Sequence, residues 1–239
     1  MKIPMINKSV MLITGTSKGI GKKLANYYLE NGYIVIGCSR SGSDISSTNY
    51  IHYSLNLCDE ASVKNMFKKI RKVYGRLDIL INNAGLSAEN YVLLTTMKKA
   101  RELMDVNFVG TLLFCRESVK IMKLNHYGRI INISSIHVPL GTQGSSIYGS
   151  TKAAVEQFSK VLSQEIFHLG ITVNVVSLSI VKDTGMEKKL SKNIKDNILN
   201  QTISMQPIKI EDVTNTVNFL IDDKSKMICN QTMYLGGKK

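Results

Sequence analysis

The amino-acid sequence predicts a single α/β domain, built on one doubly wound parallel sheet of about seven strands with helices on both faces. Short apolar runs of strand length alternate with longer helical patterns along the whole chain. The length of 239 residues suits one domain of this kind. A glycine-rich turn stands between the first strand and the first helix, where doubly wound sheets need tight backbone geometry. The predicted domain therefore spans residues 1–239.

The predicted strands are short apolar or alternating runs, and they occupy 9–14, 33–38, 50–57, 78–82, 128–133, 171–178 and 231–235. Helical spacing of apolar residues predicts a first helix that ends at Asn31-Gly32 and further helices at 60–74, 100–123, 148–168 and 211–221. Asp59 is the predicted cap of the helix at 60–74. The segments 41–49 and 136–146 are predicted loops, and a mobile substrate lid is predicted at about 183–210.

The turn after the first strand has the spacing Gly-x-x-x-Gly-x-Gly. Glycines permit close approach of the backbone, and a helix N-terminus offers unpaired N–H groups to a pyrophosphate. The strand before the turn and the helix after it favour nucleotide binding in a Rossmann-type sheet over an ordinary glycine-containing loop. The residues assigned to the cofactor here are Gly15, Thr16, Ser17, Lys18, Gly19, Ile20 and Gly21.

The end of the second predicted strand indicates which dinucleotide is bound. An acidic residue at this place bonds the ribose hydroxyl in NAD sites, whereas a basic residue accommodates the 2′-phosphate of NADP. Here Ser39 and Arg40 follow the strand, and Lys18 in the glycine turn supplies a second cation. Arginine suits a phosphate because its planar guanidinium donates paired hydrogen bonds. We predict NADP(H) rather than NAD(H). The alternative is that Arg40 is only a solvent-exposed loop residue without a role in cofactor binding.

The stretch Tyr148-Gly149-Ser150-Thr151-Lys152 contains a candidate catalytic pair. Helical spacing of four puts Tyr148 and Lys152 on one face. A free tyrosine has a pKa near ~10, and an adjacent cation lowers that pKa toward neutral pH. Ser134 and Ser135 follow the fifth strand, and a serine hydroxyl there can share a substrate oxygen with the tyrosine. By itself the pair is weak evidence, because the same spacing also occurs on exposed helix faces.

Together these motifs resemble the short-chain dehydrogenase/reductase family over nearly the whole chain. Members of the family have Thr-Gly-x-x-x-Gly-x-Gly, followed much later by Ser and by Tyr-x-x-x-Lys, as this chain has from Thr14 onward. The resemblance implies hydride transfer between the nicotinamide of NADP(H) and a carbonyl carbon. It makes Tyr148 the proton donor and lets Lys152 also bond the cofactor ribose. It selects Ser135 rather than Ser134 as the catalytic serine, because Ser135 lies thirteen residues before Tyr148, the interval that family members show. It adds Asn107 as a fourth catalytic residue, which holds a water beside the lysine.

The resemblance also implies further cofactor contacts. The run Asn83-Ala84-Gly85 matches the family's own motif, where small residues let the backbone pass close to the cofactor ribose. Asn56 stands near the adenine, where relatives often have an aspartate, and Leu57 contributes through its backbone or by packing.

The segment after the sixth predicted strand departs from the family pattern. Leu178 and Ser179 replace the proline and glycine of relatives, and Asp183 displaces Thr184 by one place. In relatives this backbone bonds the nicotinamide carboxamide, and Val181 is the residue expected to make that contact here.

The sequence leaves the substrate open. The closest resemblance is to 3-oxoacyl-[acyl-carrier-protein] reductases, but the same motifs serve reductases of sugars, steroids, polyketides and small ketones. A different class of protein, one that binds the nucleotide without turnover, is disfavoured because it has no need of Ser135, Tyr148, Lys152 and Asn107. A homotetramer or homodimer is implied by the resemblance, since the helix at 148–168 and the one before it pair across two-fold axes in the family.

The net charge of +13 raises the question of a nucleic-acid partner. The lysines are spread along helical segments, and no aromatic residues alternate with them as a base-stacking surface requires. We therefore expect no nucleic acid, whereas an acidic acyl carrier protein is a partner that this charge would attract.

Other features of composition predict a cytoplasmic protein without metal. No run of eighteen apolar residues is present, and the opening residues 1–5 lack the apolar core of a signal peptide. Neither the four cysteines nor the four histidines have ligand spacing, and each histidine is expected at the surface or in packing: Cys38, Cys58, Cys115 and Cys229; His52, His126, His137 and His168.

Overall fold

A computed structural model describes residues 8–88, 90–185 and 187–239, and the opening residues 1–5 considered above lie outside this part. Seven strands form one sheet: β1 Val10–Thr14, β2 Ile34–Ser39, β3 Tyr50–Ser54, β4 Ile79–Asn82, β5 Gly128–Ser135, β6 Ile171–Leu178 and β7 Thr232–Leu235. Their order is β3-β2-β1-β4-β5-β6-β7, and every neighbouring pair is parallel. The predicted fold class is confirmed.

Helices cover both faces of the sheet. They are α1 Gly19–Glu30, α2 Glu60–Tyr74, α3 Met97–Met104, α4 Gly110–Met122, α5 His137–Leu140, α6 Ser146–Ile166, α7 Lys192–Asn200 and α8 Ile210–Ile221. The apolar side chains of α2, α4 and α6 form one core against the sheet, and those of α1 and α8 form a second core on the opposite face. Strands buried on both faces explain the continuous apolar runs in the sequence.

Local signals in the sequence set both ends of α2. The Asp59 carboxylate accepts a hydrogen bond from the Ala61 N–H at 3.1 Å, so the predicted cap of α2 is present. Gly75 ends the same helix with a φ of 68°, a left-handed value that glycine adopts without strain.

Several predicted elements differ in the structure, and β5 runs to Ser135 rather than ending at residue 133. The predicted strand at 50–57 ends at Ser54, because Asn56 closes a turn through its Oδ1 and the Cys58 N–H, 3.2 Å apart. The predicted helix at 100–123 is divided into α3 and α4 by a π-helical turn at Asp105–Val109. Such turns insert one residue into a helix and are frequent at functional sites.

The predicted loop and lid contain short helices of their own. Helix α5 lies within the predicted loop at 136–146. The predicted lid at 183–210 contains α7 and a single 3-10 turn at Glu187–Lys189, and its residue 186 lies outside the described part of the chain. Ile198 of α7 is buried in a small third cluster with Ile136 and Ile180. None of the helices in the described ranges has both the length and the apolar character of a membrane span.

Candidate active site

The sheet reverses its strand order at β1, which lies between β2 and β4. In doubly wound sheets, ligands bind in the crevice outside the carboxyl ends of the strands at such a point. The glycine turn follows β1, and the run Asn83-Ala84-Gly85 follows β4. Both predicted cofactor segments therefore lie at the same edge of the sheet.

Gly15 and Gly21 hold the glycine turn against the segment after β4. Gly15 has a left-handed φ of +78°, and a Cβ there would lie 3.0 Å from the Ala84 Cα. A Cβ on Gly21 would lie 2.3 Å from the Gly15 carbonyl oxygen and 2.5 Å from Asn83 Nδ2. The Thr14 hydroxyl oxygen accepts hydrogen bonds from the N–H groups of Asn83, at 3.0 Å, and Ala84, at 2.9 Å. Only glycine fits at these two positions, which gives the sequence motif a packing cause.

The first turn of α1 fits the pyrophosphate of a dinucleotide. No side chain caps this helix at Lys18, so the first backbone N–H groups of the helix have no side-chain partner there. A Cβ added to Gly19 would meet nothing within 4 Å, so open space lies beside the turn. A helix N-terminus with free N–H groups and adjacent space is a phosphate-binding arrangement.

The end of β2 presents an exposed cation and a hydroxyl that is already hydrogen-bonded. Arg40 is exposed, and it forms no ion pair with any residue in the described ranges. Lys18 is exposed as well. Ser39 is buried, and its hydroxyl donates to the Ser41 carbonyl oxygen at 2.5 Å. A 2′-phosphate at this place would therefore find Arg40 and Lys18 available, whereas the Ser39 proton is used within the protein.

Thr16 joins the glycine turn to β3 through a polar cluster that includes a histidine. Thr16 Oγ1 lies 2.9 Å from the Tyr50 hydroxyl oxygen, which lies 2.8 Å from His52 Nδ1. His52 Nε2 lies 3.1 Å from the Ser39 hydroxyl oxygen. Thr16 is fully buried, so its hydroxyl has this internal role. The sequence contains no signal for the cluster, because β3 brings His52 and Tyr50 to the turn only through tertiary pairing.

Asn56 and Leu57 occupy the turn between β3 and α2. The Asn56 side chain is exposed, and its Oδ1 bonds the Cys58 N–H. Leu57 is buried in the core and faces α4, where a Cβ on Gly110 would lie 3.5 Å from the Leu57 Cβ. Leu57 therefore contributes packing.

Asn107 lies in the π-helical turn and is fully buried. Its Oδ1 accepts from the Leu86 N–H at 2.7 Å, and its Nδ2 donates to the Leu86 carbonyl oxygen at 2.9 Å. The same Nδ2 donates to the Thr151 hydroxyl at 2.9 Å, and that hydroxyl donates to the Tyr148 carbonyl oxygen at 2.7 Å. Asn107 thus joins the segment after β4 to α6 beside the predicted catalytic pair.

Tyr148 and Lys152 lie one turn apart on α6, and both side chains are buried. Lys152 Nζ donates to the Ile133 carbonyl oxygen of β5 at 2.8 Å. A Cβ on Gly85 would lie 3.6 Å from Nζ, so the ammonium group borders the segment after β4. Burial lowers the pKa of Lys152 to about 8, and the Glu156 carboxylate opposes that shift. The lysine therefore remains mainly protonated at neutral pH.

Ser135 ends β5, and its hydroxyl oxygen accepts from the His137 N–H at 3.4 Å. The His137 ring packs edge-on against the Tyr148 ring, with centroids 5.6 Å apart and planes at 77°. His137 Nδ1 is hydrogen-bonded to the Thr142 hydroxyl. Burial lowers the pKa of His137 to about 4, so its ring is uncharged at neutral pH. Sequence reasoning did not place His137 in the site. The one signal that could have found it is its position two residues after Ser135.

The segment after β6 contains a residue with left-handed backbone and a hydrogen bond that turns the loop back on itself. Asp183 has a φ of +58°, in the left-handed region that favours glycine. Thr184 nevertheless folds back, and its hydroxyl donates to the Val181 carbonyl oxygen at 2.8 Å. Val181 is buried and forms a parallel bridge with Ile208. The Val181 carbonyl is therefore already an acceptor within the loop.

Comparisons with known proteins agree with this arrangement. Residues 9–195 match the family described as short chain dehydrogenase. The chain is 31% identical over 234 residues to the 3-oxoacyl-[acyl-carrier-protein] reductase FabG of Escherichia coli strain K12, covering 95% of this chain and 96% of the relative. The protein of the same name from Staphylococcus aureus strain Mu50 is 32% identical over 238 residues, with coverage of 95% and 96%.

Solved structures give the same result. A structure of ElxO with NADP bound is 32% identical, has a TM-score of 0.87 and covers 95% of this chain and 96% of its own. The ligand-free aldohexose dehydrogenase of Thermoplasma acidophilum is 24% identical with a TM-score of 0.86, covers 96% of this chain and 93% of its own, and shares the fold. The matched residues include the glycine turn and the Ser135, Tyr148 and Lys152 positions. The chain therefore belongs to the short-chain dehydrogenase family of oxidoreductases.

Proposed function

We propose that this protein reduces a ketone to an alcohol with NADPH, and that Asn107, Ser135, Tyr148 and Lys152 are its catalytic residues. The buried Lys152 ammonium, one helical turn from Tyr148 and bonded to the Ile133 carbonyl, is the observation that supports this proposal most directly. A protonated lysine in a site of low dielectric stabilises a neighbouring phenolate and lowers the pKa of the phenol.

Each residue has a distinct part in the proposed reaction. Tyr148 donates its proton to the substrate oxygen as negative charge develops there. Ser135 donates a hydrogen bond to the same oxygen. Asn107 holds a water beside Lys152, and its own bonds to Leu86 and Thr151 fix its side chain between the segment after β4 and α6. When bound, the nicotinamide supplies the hydride.

NADP(H) is the cofactor of this enzyme. The glycine turn and the N-terminus of α1 receive its pyrophosphate, and Arg40 and Lys18 bind its 2′-phosphate. Exposed Arg40 without an ion pair to a described residue supports this assignment, as do the family and the NADP-bound ElxO structure.

The substrate that we propose is a 3-oxoacyl thioester, presented on an acidic acyl carrier protein. The names of the bacterial relatives and the net charge of +13 support it. A small ketone such as a sugar or a polyketide fragment is the second candidate, and the altered segment after β6 favours it.

A panel of carbonyl compounds tests the function directly. NADPH oxidation is measured with a 3-oxoacyl carrier protein, the same acyl group on a short thioester, a keto sugar and a simple ketone. We expect turnover, with the carrier-bound substrate having the highest kcat/KM. Binding of NADPH without turnover of any compound would instead identify a nucleotide-binding protein, and the reductase proposal would be wrong.

The dependence of KM on ionic strength distinguishes recognition of the carrier protein from recognition of its acyl group. If the basic surface attracts an acidic carrier, KM for the carrier-bound substrate rises with ionic strength, whereas KM for the short thioester does not. Equal salt dependence of the two substrates would contradict carrier binding.

We also propose that the chain is one domain over 1–239 with a substrate lid at about 183–210, and that it forms a homotetramer or homodimer in the cytoplasm. All four cysteines are free thiols, which suits a reducing compartment. Light scattering of the purified protein measures the oligomeric state. A failure to retard DNA or RNA that does not change with salt is the outcome expected for a protein without a nucleic-acid partner.

A further inference from the structure

A carboxyl group lies one helical turn behind Lys152. Glu156 of α6 is half-buried, and its Oε1 accepts a hydrogen bond from the Ser134 hydroxyl at 2.6 Å. Ser134 is buried in β5, immediately before Ser135. A carboxylate taken out of water is unfavourable unless it is paired or hydrogen-bonded, so its place here calls for a reason.

Lys152 and Glu156 reach the same end of β5. The Lys152 ammonium donates to the Ile133 carbonyl oxygen, and the Glu156 carboxylate accepts from the side chain of the next residue, Ser134. Four residues apart on α6, the two side chains are neighbours on one helix face. Their opposite charges thus act on one short stretch of strand that ends in Ser135.

The other charged and titratable groups around Glu156 come from α6, from β7 and from the residues after β7. Lys160 of α6 lines the same cavity of about 420 Å³ as Glu156, together with residues of β6 and β7. Tyr234 of β7 and Lys238 near the carboxyl end interact electrostatically with the carboxylate. Burial raises the pKa of Glu156, while the Ser134 hydrogen bond, Lys238 and Lys152 act in the opposite direction.

We propose that Glu156 is a positioning residue of the active site, which keeps the Lys152 side chain protonated and, through Ser134, holds the strand end that carries Ser135. The proposal rests on the catalytic roles proposed above for Tyr148, Lys152 and Ser135. Packing alone does not explain a half-buried carboxylate at this place, whereas the proposed role of Glu156 does.

The proposal predicts the direction of a pH effect. A negative charge near a lysine favours the protonated amine, so removal of the Glu156 charge lowers the pKa of Lys152 below its present value of about 8. Lys152 then loses its proton at a lower pH, and Tyr148 loses the cation that makes it a good acid. The alkaline limb of the pH profile for ketone reduction therefore moves to lower pH, by about one unit for a nearby opposite charge.

Two variants separate the charge of Glu156 from its hydrogen bond. Glu156→Gln removes the charge and keeps an oxygen that accepts from Ser134; Ser134→Ala removes the bond and keeps the charge. We expect Glu156→Gln to shift the alkaline limb of kcat/KM, and Ser134→Ala to lower kcat severalfold without shifting the limb. Glu165→Gln, an exposed glutamate of the same helix, is the matched control and leaves the profile unchanged. An unshifted limb in Glu156→Gln would overturn the proposal.

A second measurement needs neither substrate nor cofactor. Urea unfolding at pH 7 of the wild type, Glu156→Gln, Lys152→Met and the double variant gives the coupling between the two side chains. We expect the Glu156→Gln effect to differ when Lys152 is absent. Additive effects would overturn the charge coupling even if the enzyme proves to be a reductase. Coupling without ketone turnover in the wild type would instead show that only the proposed function had failed.

Discussion

The crevice at β1 and β4 and the segment 179–209 after β6 are built in opposite ways. In the crevice, glycines bring backbones into contact, and the Asn107 and Lys152 side chains bond backbone groups of neighbouring elements. In the segment, which is described except for residue 186, the large apolar side chains Ile203 and Met205 are 66% and 58% exposed. We expect the crevice to decide the chemistry and the segment to decide the substrate.

Backbone geometry shows the same contrast. The positive φ values of the crevice belong to Gly15 and Gly19, whereas those of the segment include Asp183 at 58° and Met205 at 52°. Ser179 begins the segment, and its buried hydroxyl has no hydrogen-bond partner among the described residues. Regions where the backbone tolerates one residue type leave a clear motif in the sequence, and regions that tolerate several do not.

The largest effect that would test this contrast is the loss of the proton donor. Tyr148→Phe removes only the hydroxyl from a buried ring, so the fold is kept. We expect kcat to fall by about 10²- to 10⁴-fold, the usual contribution of general acid catalysis. NADPH binding, measured by fluorescence titration, should change little. An unchanged kcat would exclude Tyr148 as the acid.

Cofactor preference is the next largest effect. Arg40→Ala removes the exposed guanidinium at the end of β2. A hydrogen-bonded charge contributes about 1.5–3 kcal/mol, so the Kd for NADPH should rise by roughly 10- to 100-fold, with little change for NADH. Arg71→Ala, an exposed arginine of α2, is the control. An equal loss of affinity for both dinucleotides would contradict 2′-phosphate binding by Arg40.

A methyl group in the crevice tests its close packing. Gly21→Ala places a Cβ 2.3 Å from the Gly15 carbonyl oxygen, which must move. Overpacking of this kind costs about 1–3 kcal/mol, and we expect Tm to fall by roughly 2–12 °C with weaker NADPH binding. Gly185→Ala is the control in the other region, since its Cβ would meet nothing within 4 Å. Equal Tm values for the two variants would remove the distinction between the regions.

The smallest expected effect is that of replacing Asp183 in the segment 179–209. Asp183→Gly relieves a left-handed conformation and keeps the backbone N–H that bonds Glu187 Oε2 at 3.1 Å. We expect the free energy of unfolding, measured in urea, to rise by up to about 1 kcal/mol. Asp183→Ala lacks that freedom and should not be more stable than the wild type. A large loss of stability in Asp183→Gly would mean that the aspartate side chain has a structural role.

Much of the fold was predictable because its signals are local. Apolar runs of strand length, the Asp59 cap and the glycine turn each constrain the backbone within a few residues, and all three are present as predicted. The division of the helix at 100–123 was not predictable. Asn107 in its π-helical turn bonds the backbone of Leu86, which is distant in sequence, and local spacing does not reveal such a contact.

In the candidate site, too, some features follow from local sequence and others depend on packing between distant segments. The spacing of Tyr148 and Lys152 on one helix is a property of the sequence alone. The contact of His137 with Tyr148 and the bond between Ser134 and Glu156 depend on how α5, α6 and β5 pack together.

The amino-acid sequence by itself determined the strand-and-helix alternation, the glycine turn and the identity of the residues placed at the crevice, because each depends on backbone constraints that act over a few positions. Only the tertiary structure decided which side chains surround them. Burial and long-range contacts joined Glu156 to Ser134, made the Ser39 hydroxyl an internal donor and left Arg40 exposed. Those contacts arise when distant segments pack, and packing sets the charge state and the free hydrogen-bonding capacity of each group.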